Sequence, residues 1–325
     1  MIDNDLPKKK RLGLIQPSTM AFFDVAGKTK YFSTFDKVHG YIYARFLYTY
    51  IGIGTRQHKL NRLINPIITF SNYIQAGLRK LFPVKSTNKQ ITFADTYHGK
   101  VLPLTSVKKL VSVQENVRLE NLETIIPYLL AKDIILDHPD HLVVLDCPCR
   151  SSRETPCLPL DVCMVVGEPF ASFVLEHHPQ RSRSISQQEA LQILEDEDNR
   201  GHVHHAFFKD AMLGRFYAIC NCCSCCCGAI QAHEHGTPML SASGFLALVD
   251  HDICVNCGVC NRYCQFHAIS LVDGFNTVNS ELCMGCGICI SKCDLQALSL
   301  SLNPSKGIPL DIDKLMKEAA LAGSH

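Results

Sequence analysis

The sequence predicts an α+β fold built from four stretches. A basic, aromatic-rich and mainly helical region covers 1–110. A cysteine-rich domain, α/β or α+β, covers 111–245. A small two-fold cysteine module covers 246–303, and a helical tail covers 304–325. Three observations predict this. One four-cysteine spacing occurs twice near the C-terminus. Two further cysteine groups each follow a short apolar, β-rich run. The charge is split: residues 1–110 carry a net +13 and residues 111–325 a net −12, so the total of +1 hides the asymmetry. At 325 residues and 46% apolar, the chain is long enough for two or three folded domains.

The module comes first because its pattern is the most specific. Cys254, Cys257, Cys260 and Cys264 have the spacing C-x2-C-x2-C-x3-C, and Cys283, Cys286, Cys289 and Cys293 repeat it 29 positions later. This is the ligand pattern of thiolates around [4Fe–4S] cubes. The first three cysteines wrap three corners of a cube from one tight loop. The fourth lies a helical turn on and serves the other cube. Cys254, Cys257, Cys260 and Cys293 are thus expected to hold one cluster, and Cys264, Cys283, Cys286 and Cys289 the second. Paired C-x2-C also binds zinc, but tetrahedral zinc has no use for a three-plus-one crossover. The repeat extends beyond cysteine: 265–271 (QFHAISL) aligns with 294–300 (DLQALSL) at the same offset. Each half reads as loop, helical turn and apolar strand.

Residues 248–303 resemble the bacterial 2[4Fe–4S] ferredoxins on these motifs. The resemblance implies a dicluster ferredoxin fold with a pseudo-two-fold axis. One departure stands out: the usual proline after each fourth cysteine is Gln265 in one half and Asp294 in the other. A carboxylate beside Cys293 should favour the oxidised cluster and lower its potential.

Ten cysteines remain. Cys147, Cys149, Cys157 and Cys163 follow the run His141 to Leu145. Cys220, Cys222, Cys223, Cys225, Cys226 and Cys227 follow Phe216 to Ile219. Two such strands, paired side by side, would bring both loops to one end of a sheet and build one shared metal site. A further iron–sulfur cluster is the leading expectation and zinc the next. The spacing Cys222 to Cys225 also admits a redox-active dithiol. Adjacent side chains in extended backbone point opposite ways, so the ten cannot all serve one cube. Cys226-Cys227-Gly228 lacks the second, widely spaced motif of the CCG domains of heterodisulfide reductases. Between the groups, Ser186 and Glu189 have capping-box spacing and open a helix through Leu191 and Leu194 to the acidic run 195–198. His202 and His204 would share one face of a strand, though a satisfied or solvated role is the commoner one for histidine.

Residues 140–302 together resemble a group of iron–sulfur proteins of anaerobic bacteria. The motifs are the C-x-C-R loop at 147–150 with Cys157 and Cys163, the helix start at 185–190, the loop at 219–227 and the module. This implies a redox protein without fixing its reaction.

The basic stretch offers a helix over 65–81, with Asn65-Pro66 opening it and Pro83 ending it. Tyr31, Tyr41, Tyr43, Tyr48, Tyr50 and Tyr73 are interleaved with phenylalanine and basic residues. That mixture suits peripheral membrane association, or a core helix whose basic face docks on the acidic half. No nucleic-acid fold signature accompanies it.

No stretch of about 20 apolar residues predicts a spanning helix. The N-terminus lacks the apolar core of a secretory signal, so a reducing cytoplasm is expected, with a peripheral place at the inner membrane face as its variant. No nucleotide-binding glycine loop is evident. The leading expectation is an electron carrier or electron-transfer subunit serving a redox partner protein. The alternatives are a reductase with its active site on the middle cysteines, and a redox or metal sensor.

Overall fold

A computed structural model of the protein describes residues 16–29, 32–55, 57 and 92–322. The basic run at 8–11, Tyr31, Tyr73 and the helical stripe over 65–81 lie outside the described residues. Within them the fold is mixed α+β, centred on a sheet of eight strands.

The N-terminal helices are α1 (Pro17–Lys28), α2 (Thr34–Arg45) and α3 (Leu47–Gly54). Local signals start them. Pro17 occupies the first turn of α1, and Ser33 and Asp36 form a complete capping box on α2. After the single turn α4 (Phe93–Thr96) the chain enters β1 (Tyr97–Leu102), α5 (Leu104–Val111), β2 (Val117–Leu119) and β3 (Ile134–Asp146). A short α6 (Pro148–Ser151) leads to β4 (Asp161–Glu168), α7 (Phe170–His177), β5 (Ser182–Ile185) and α8 (Gln187–Asn199). Then come β6 (Val203–Lys209), β7 (Arg215–Cys222), α9 (Gly228–Glu234) and β8 (Leu240–Ser241).

The strand order is β2-β3-β4-β7-β6-β1-β8, with β5 also paired to β3. Only the β1–β8 pair is parallel. Strand β1, drawn from the 1–110 stretch, pairs with β6 from Tyr97↔Lys209 to Leu102↔His204. Strands β3 and β7 are not neighbours; β4 lies between them. The cause is the hairpin-like return after the first cysteine loop, which lays β4 along β3 in the register Leu145↔Cys163.

Strand alternation gives the sheet two apolar faces. One carries Leu142, Val144, Met164, Val166, Ala206 and Phe208 and packs against α5 and α8. The other carries Val143, Leu145, Val165, Val203 and Phe207, covered by α1–α3, α7 and α9. Phe22 and Tyr43 are buried in this second layer, Tyr48 and Tyr50 are half-buried, and Phe35 and Phe46 are exposed. Part of the aromatic content of the N-terminal region therefore roofs the sheet. Among the described residues no helix is long and apolar enough to cross a membrane.

The remaining chain forms two small sheets. Strand β9 (Phe245–Val249) pairs with β12 (Leu298–Leu302), and β10 (Ile269–Val272) with β11 (Phe275–Val278). Between them lie α10 (Val259–Tyr263) and α11 (Ile288–Ser291), around a core that includes Cys260, Cys283 and Cys289. A C-terminal α12 (Ile312–Ala322) returns to the first face of the large sheet through Ile312.

Lys100 sits on β1 and is 1% exposed, and burial alone pushes its ammonium down to about 8. The unfolded chain holds that proton more tightly, so the cost to folding is full below pH 8 and fades as pH rises towards 10.5. Lys100→Met should stabilise the protein by about 3 kcal/mol at pH 7. Urea midpoints at pH 7 and pH 10 check this; the gain should shrink at the higher pH.

Candidate metal centre

The ten middle cysteines divide into two adjoining groups. The inner group is Cys147, Cys149, Cys163, Cys220, Cys222 and Cys227, which line one buried cavity together with Cys223 and Cys226 of the other group. The sheet explains their convergence. The β4–β7 register Met164↔Ile219 and Val165↔Ala218 sets Cys163 opposite Cys220. Cys222 lies two residues on, on the same face. Cys147 follows the end of β3, and its N–H donates to the Leu160 carbonyl at 2.7 Å. Cys149 belongs to α6, and Cys227 caps α9. Within this group Cys147 and Cys220 are neighbours of Cys163, and Cys147 and Cys227 are neighbours of Cys149.

The outer group is Cys157, Cys223, Cys225 and Cys226, whose sulfurs all lie within 4.8 Å of one another. Cys157 and Cys225 approach to 3.0 Å. Burial, then the Cys225 contact, pushes the Cys157 thiol up to about 12. Both groups draw on both loops, which come together at one end of the sheet.

Arg150, the arginine of the C-x-C-R loop, is 1% exposed. Its guanidinium donates to the Pro159 carbonyl at 2.6 Å, the Asn221 carbonyl at 3.0 Å and the Glu197 carboxylate at 2.6 Å. One side chain thus ties the first cysteine loop to the approach of β4, to β7 and to α8. Burial would raise the Glu197 carboxyl, but His202 and Arg150 outweigh it and hold the group below its usual range. His202 Nδ1 lies 2.7 Å from Glu197, and His204 Nδ1 lies 2.6 Å from the Asn221 amide oxygen. Each histidine spends a ring nitrogen on a polar partner.

Three tyrosines adjoin the inner thiols. Tyr43 and Tyr217 share a hydrogen bond of 2.8 Å, and Tyr97 lines the same cavity. The Lys209 ammonium stands 4.8 Å from the Tyr43 ring and 5.4 Å from that of Tyr97. A second cavity, of about 540 Å³, is lined by Tyr43, Tyr97, Lys209 and Cys149.

In the C-terminal module the two halves repeat in backbone as well as sequence. Gly258 and Gly287 are left-handed, at φ +75° and +87°. The Ala268 N–H donates to Cys264 Sγ at 3.2 Å, and the Ala297 N–H to Cys293 Sγ at 3.3 Å. Cys260 has Cys254 and Cys257 as neighbours. Cys286 has Cys264 and Cys283, and burial with these neighbours pushes its thiol up to about 12. Cys289 neighbours Cys286, Cys264, Cys283 and Cys260.

Gln265 links this module to the outer cysteines. Its amide oxygen accepts from the Ser224 N–H at 2.8 Å and the Ser224 hydroxyl at 3.0 Å, and its amide nitrogen donates to the Gly201 carbonyl at 2.9 Å. The sequence flagged Gln265 only as a missing proline. Glu197 lay hidden in an acidic run that looked solvated. Its helical phase with Ala190 and Leu194, both buried, was the signal available.

Compared with known protein families and with curated proteins, the chain matches none.

Proposed function

We propose that the protein is an iron–sulfur electron-transfer protein of the dicluster ferredoxin type, extended by a thiolate metal centre in the sheet domain. Cys254, Cys257, Cys260 and Cys293 hold one [4Fe–4S] cluster, and Cys264, Cys283, Cys286 and Cys289 hold the other. Such clusters supply one-electron transfer. The protein binds them, buries them and tunes them through N–H···S bonds and nearby charge.

The observation that carries this reading is Cys264. It follows the first loop in sequence yet lines one small cavity with Cys283, Cys286 and Cys289 of the second. That is the crossover a two-cube module needs. The matched N–H donors to Cys264 and Cys293 support it, since such bonds stabilise ligating thiolates. The electron donor or acceptor is a separate redox protein.

The test is iron and acid-labile sulfide on anaerobically purified full chain, with spectroscopy of the reduced protein. About eight of each, with the signal of reduced cubes, is expected. Absence of labile sulfide would overturn the reading.

One observation favours a second reading, a reductase. The 540 Å³ cavity that reaches Cys149 falls in the range of small-molecule sites and offers the Lys209 ammonium and the phenols of Tyr43, Tyr50 and Tyr97. Reoxidation of the reduced protein by small oxidants, slowed by Lys209→Met, would favour it over a carrier.

A further inference from the structure

We propose that Cys157, Cys223, Cys225 and Cys226 hold one zinc ion in a closed tetrahedral site that clamps the first cysteine loop to the second. The inference deepens the reading above: it rests on the thiolate centre in the sheet domain and not on the two clusters of the module.

Spacing decides how many metal atoms the site takes. Zinc–thiolate bonds of about 2.3 Å put the sulfurs of a tetrahedron about 3.8 Å apart. The four sulfurs here all lie within 4.8 Å of one another, with Cys157 and Cys225 at 3.0 Å and Cys225 and Cys226 at 3.6 Å. A four-iron cube carries its thiolates on outward corners and holds them further apart. A two-iron cluster places a pair of thiolates at each end, with sulfide between the irons, and spreads them likewise. Among the described residues no other three cysteines are drawn together so closely, those of the module included.

The loop backbone is held in this arrangement by its own bonds. The Cys226 and Cys227 N–H groups both donate to the Cys223 carbonyl, at 3.3 Å and 2.9 Å, and so close a tight turn. From α9 the Gln231 amide donates to the Ser224 carbonyl at 2.9 Å and to the Cys225 carbonyl at 3.1 Å. Arg153, on the same loop as Cys157, donates to the Cys226 carbonyl at 2.9 Å and to the Gln231 amide oxygen at 2.7 Å. Gln265 grips Ser224 from the module side. Outer bonds of this kind orient the ligands of metal sites. Here they set three thiols on one turn and bring the fourth to them from the other loop.

The chemistry of the donors names the ion. Thiolate, soft and anionic, selects zinc among common divalent ions. Four thiolates around one divalent ion leave a residual −2, and the Arg153 guanidinium stands at the same loop to offset part of it. Protein fills all four positions, as in structural rather than catalytic zinc sites. The work of the ion is therefore mechanical: it fixes the two loops and keeps Ser224 where Gln265 meets it.

Elemental analysis and labile sulfide on the anaerobically purified full chain, from zinc-supplied cells, test the proposal. About one zinc per chain is expected, with sulfide no higher than about eight. Cys157→Ser should release that zinc to a chelator that leaves the wild type loaded, and should keep its iron and sulfide. Equal retention by both proteins would overturn the ligand set. Should the variant fail to fold, wild-type protein with cobalt in place of zinc gives the same answer, through the intense absorption of a tetrahedral four-thiolate site; its absence would overturn the proposal. Sulfide clearly above eight would overturn it in favour of a third iron–sulfur cluster. A chain without zinc, its four thiols free or Cys157 and Cys225 joined in a disulfide, would remove the site. If iron and sulfide are missing while the zinc remains, the electron-transfer reading fails and this proposal stands; about eight of each without zinc is the reverse.

Discussion

Glu197→Gln should destabilise the protein by about 3–5 kcal/mol, the cost of leaving one member of a buried ion pair alone. Arg150 and Glu197 are each about 1% exposed and bond at 2.6 Å. With the carboxylate gone, the guanidinium keeps its charge, because arginine does not deprotonate in proteins, and water cannot reach it. The double variant Arg150→Met with Glu197→Leu should recover most of that loss, since apolar replacement of a whole buried pair is often neutral. It should not recover metal content. The bonds from Arg150 to the carbonyls of Pro159 and Asn221 would still be gone, and these align the cysteine strands. Urea midpoints and metal analysis on the same samples separate the two effects. A single variant losing less than about 1 kcal/mol would place the pair among weak surface-like bridges.

The second large effect is expected at Gly285, between Cys283 and Cys286. Its φ is +65°, and a Cβ there would stand 2.2 Å from the Phe245 carbonyl oxygen and 2.4 Å from Ser243 Oγ. Main chain cannot rotate aside as a flexible side chain can. Gly285→Ala should therefore displace the loop and cost the cluster proposed on Cys264, Cys283, Cys286 and Cys289, so that iron and sulfide fall by about four each. Gly258→Ala, in the other cysteine loop, is the control. Gly258 is also left-handed, at +75°, but nothing lies within 4 Å of the added carbon. It should pay only backbone strain of about 1–3 kcal/mol and keep its iron. Equal iron loss in both variants would show that conformation rather than crowding governs the loops.

The two halves of the module show how far the sequence could be read. The cysteine spacing and the 29-residue offset foretell the loops, the helical turns and the strands ending near Leu271 and Leu300. They do not foretell that position 285 must be glycine while its counterpart, Asn256, holds φ +55° as asparagine. That difference comes from β9, whose Phe245 carbonyl stands against position 285, and tertiary approach leaves no local signature. In the middle domain, the apolar runs before each cysteine group do mark β3 and β7. The intervening β4 was not legible as a partner to both, because long-range strand order is not written in local pattern. That order also brings both cysteine loops to one cavity. Ser186 does cap α8 by accepting from the Glu189 N–H at 3.1 Å, but the Glu189 carboxylate turns to Arg183 instead of closing the box.

Gln265 occupies a position where free-standing carriers of the dicluster type have proline, and it spends its amide on Ser224 and Gly201. A carrier that diffuses to its acceptor pays for each encounter, and the encounter rate depends on salt. A module pinned beside the thiol groups of its own chain makes no such search. The inner step should run at the same speed in dilute buffer and in high salt, and only the exchange with the outside partner should slow. The protein would then work less as a shuttle than as a fixed conductor with one open terminal.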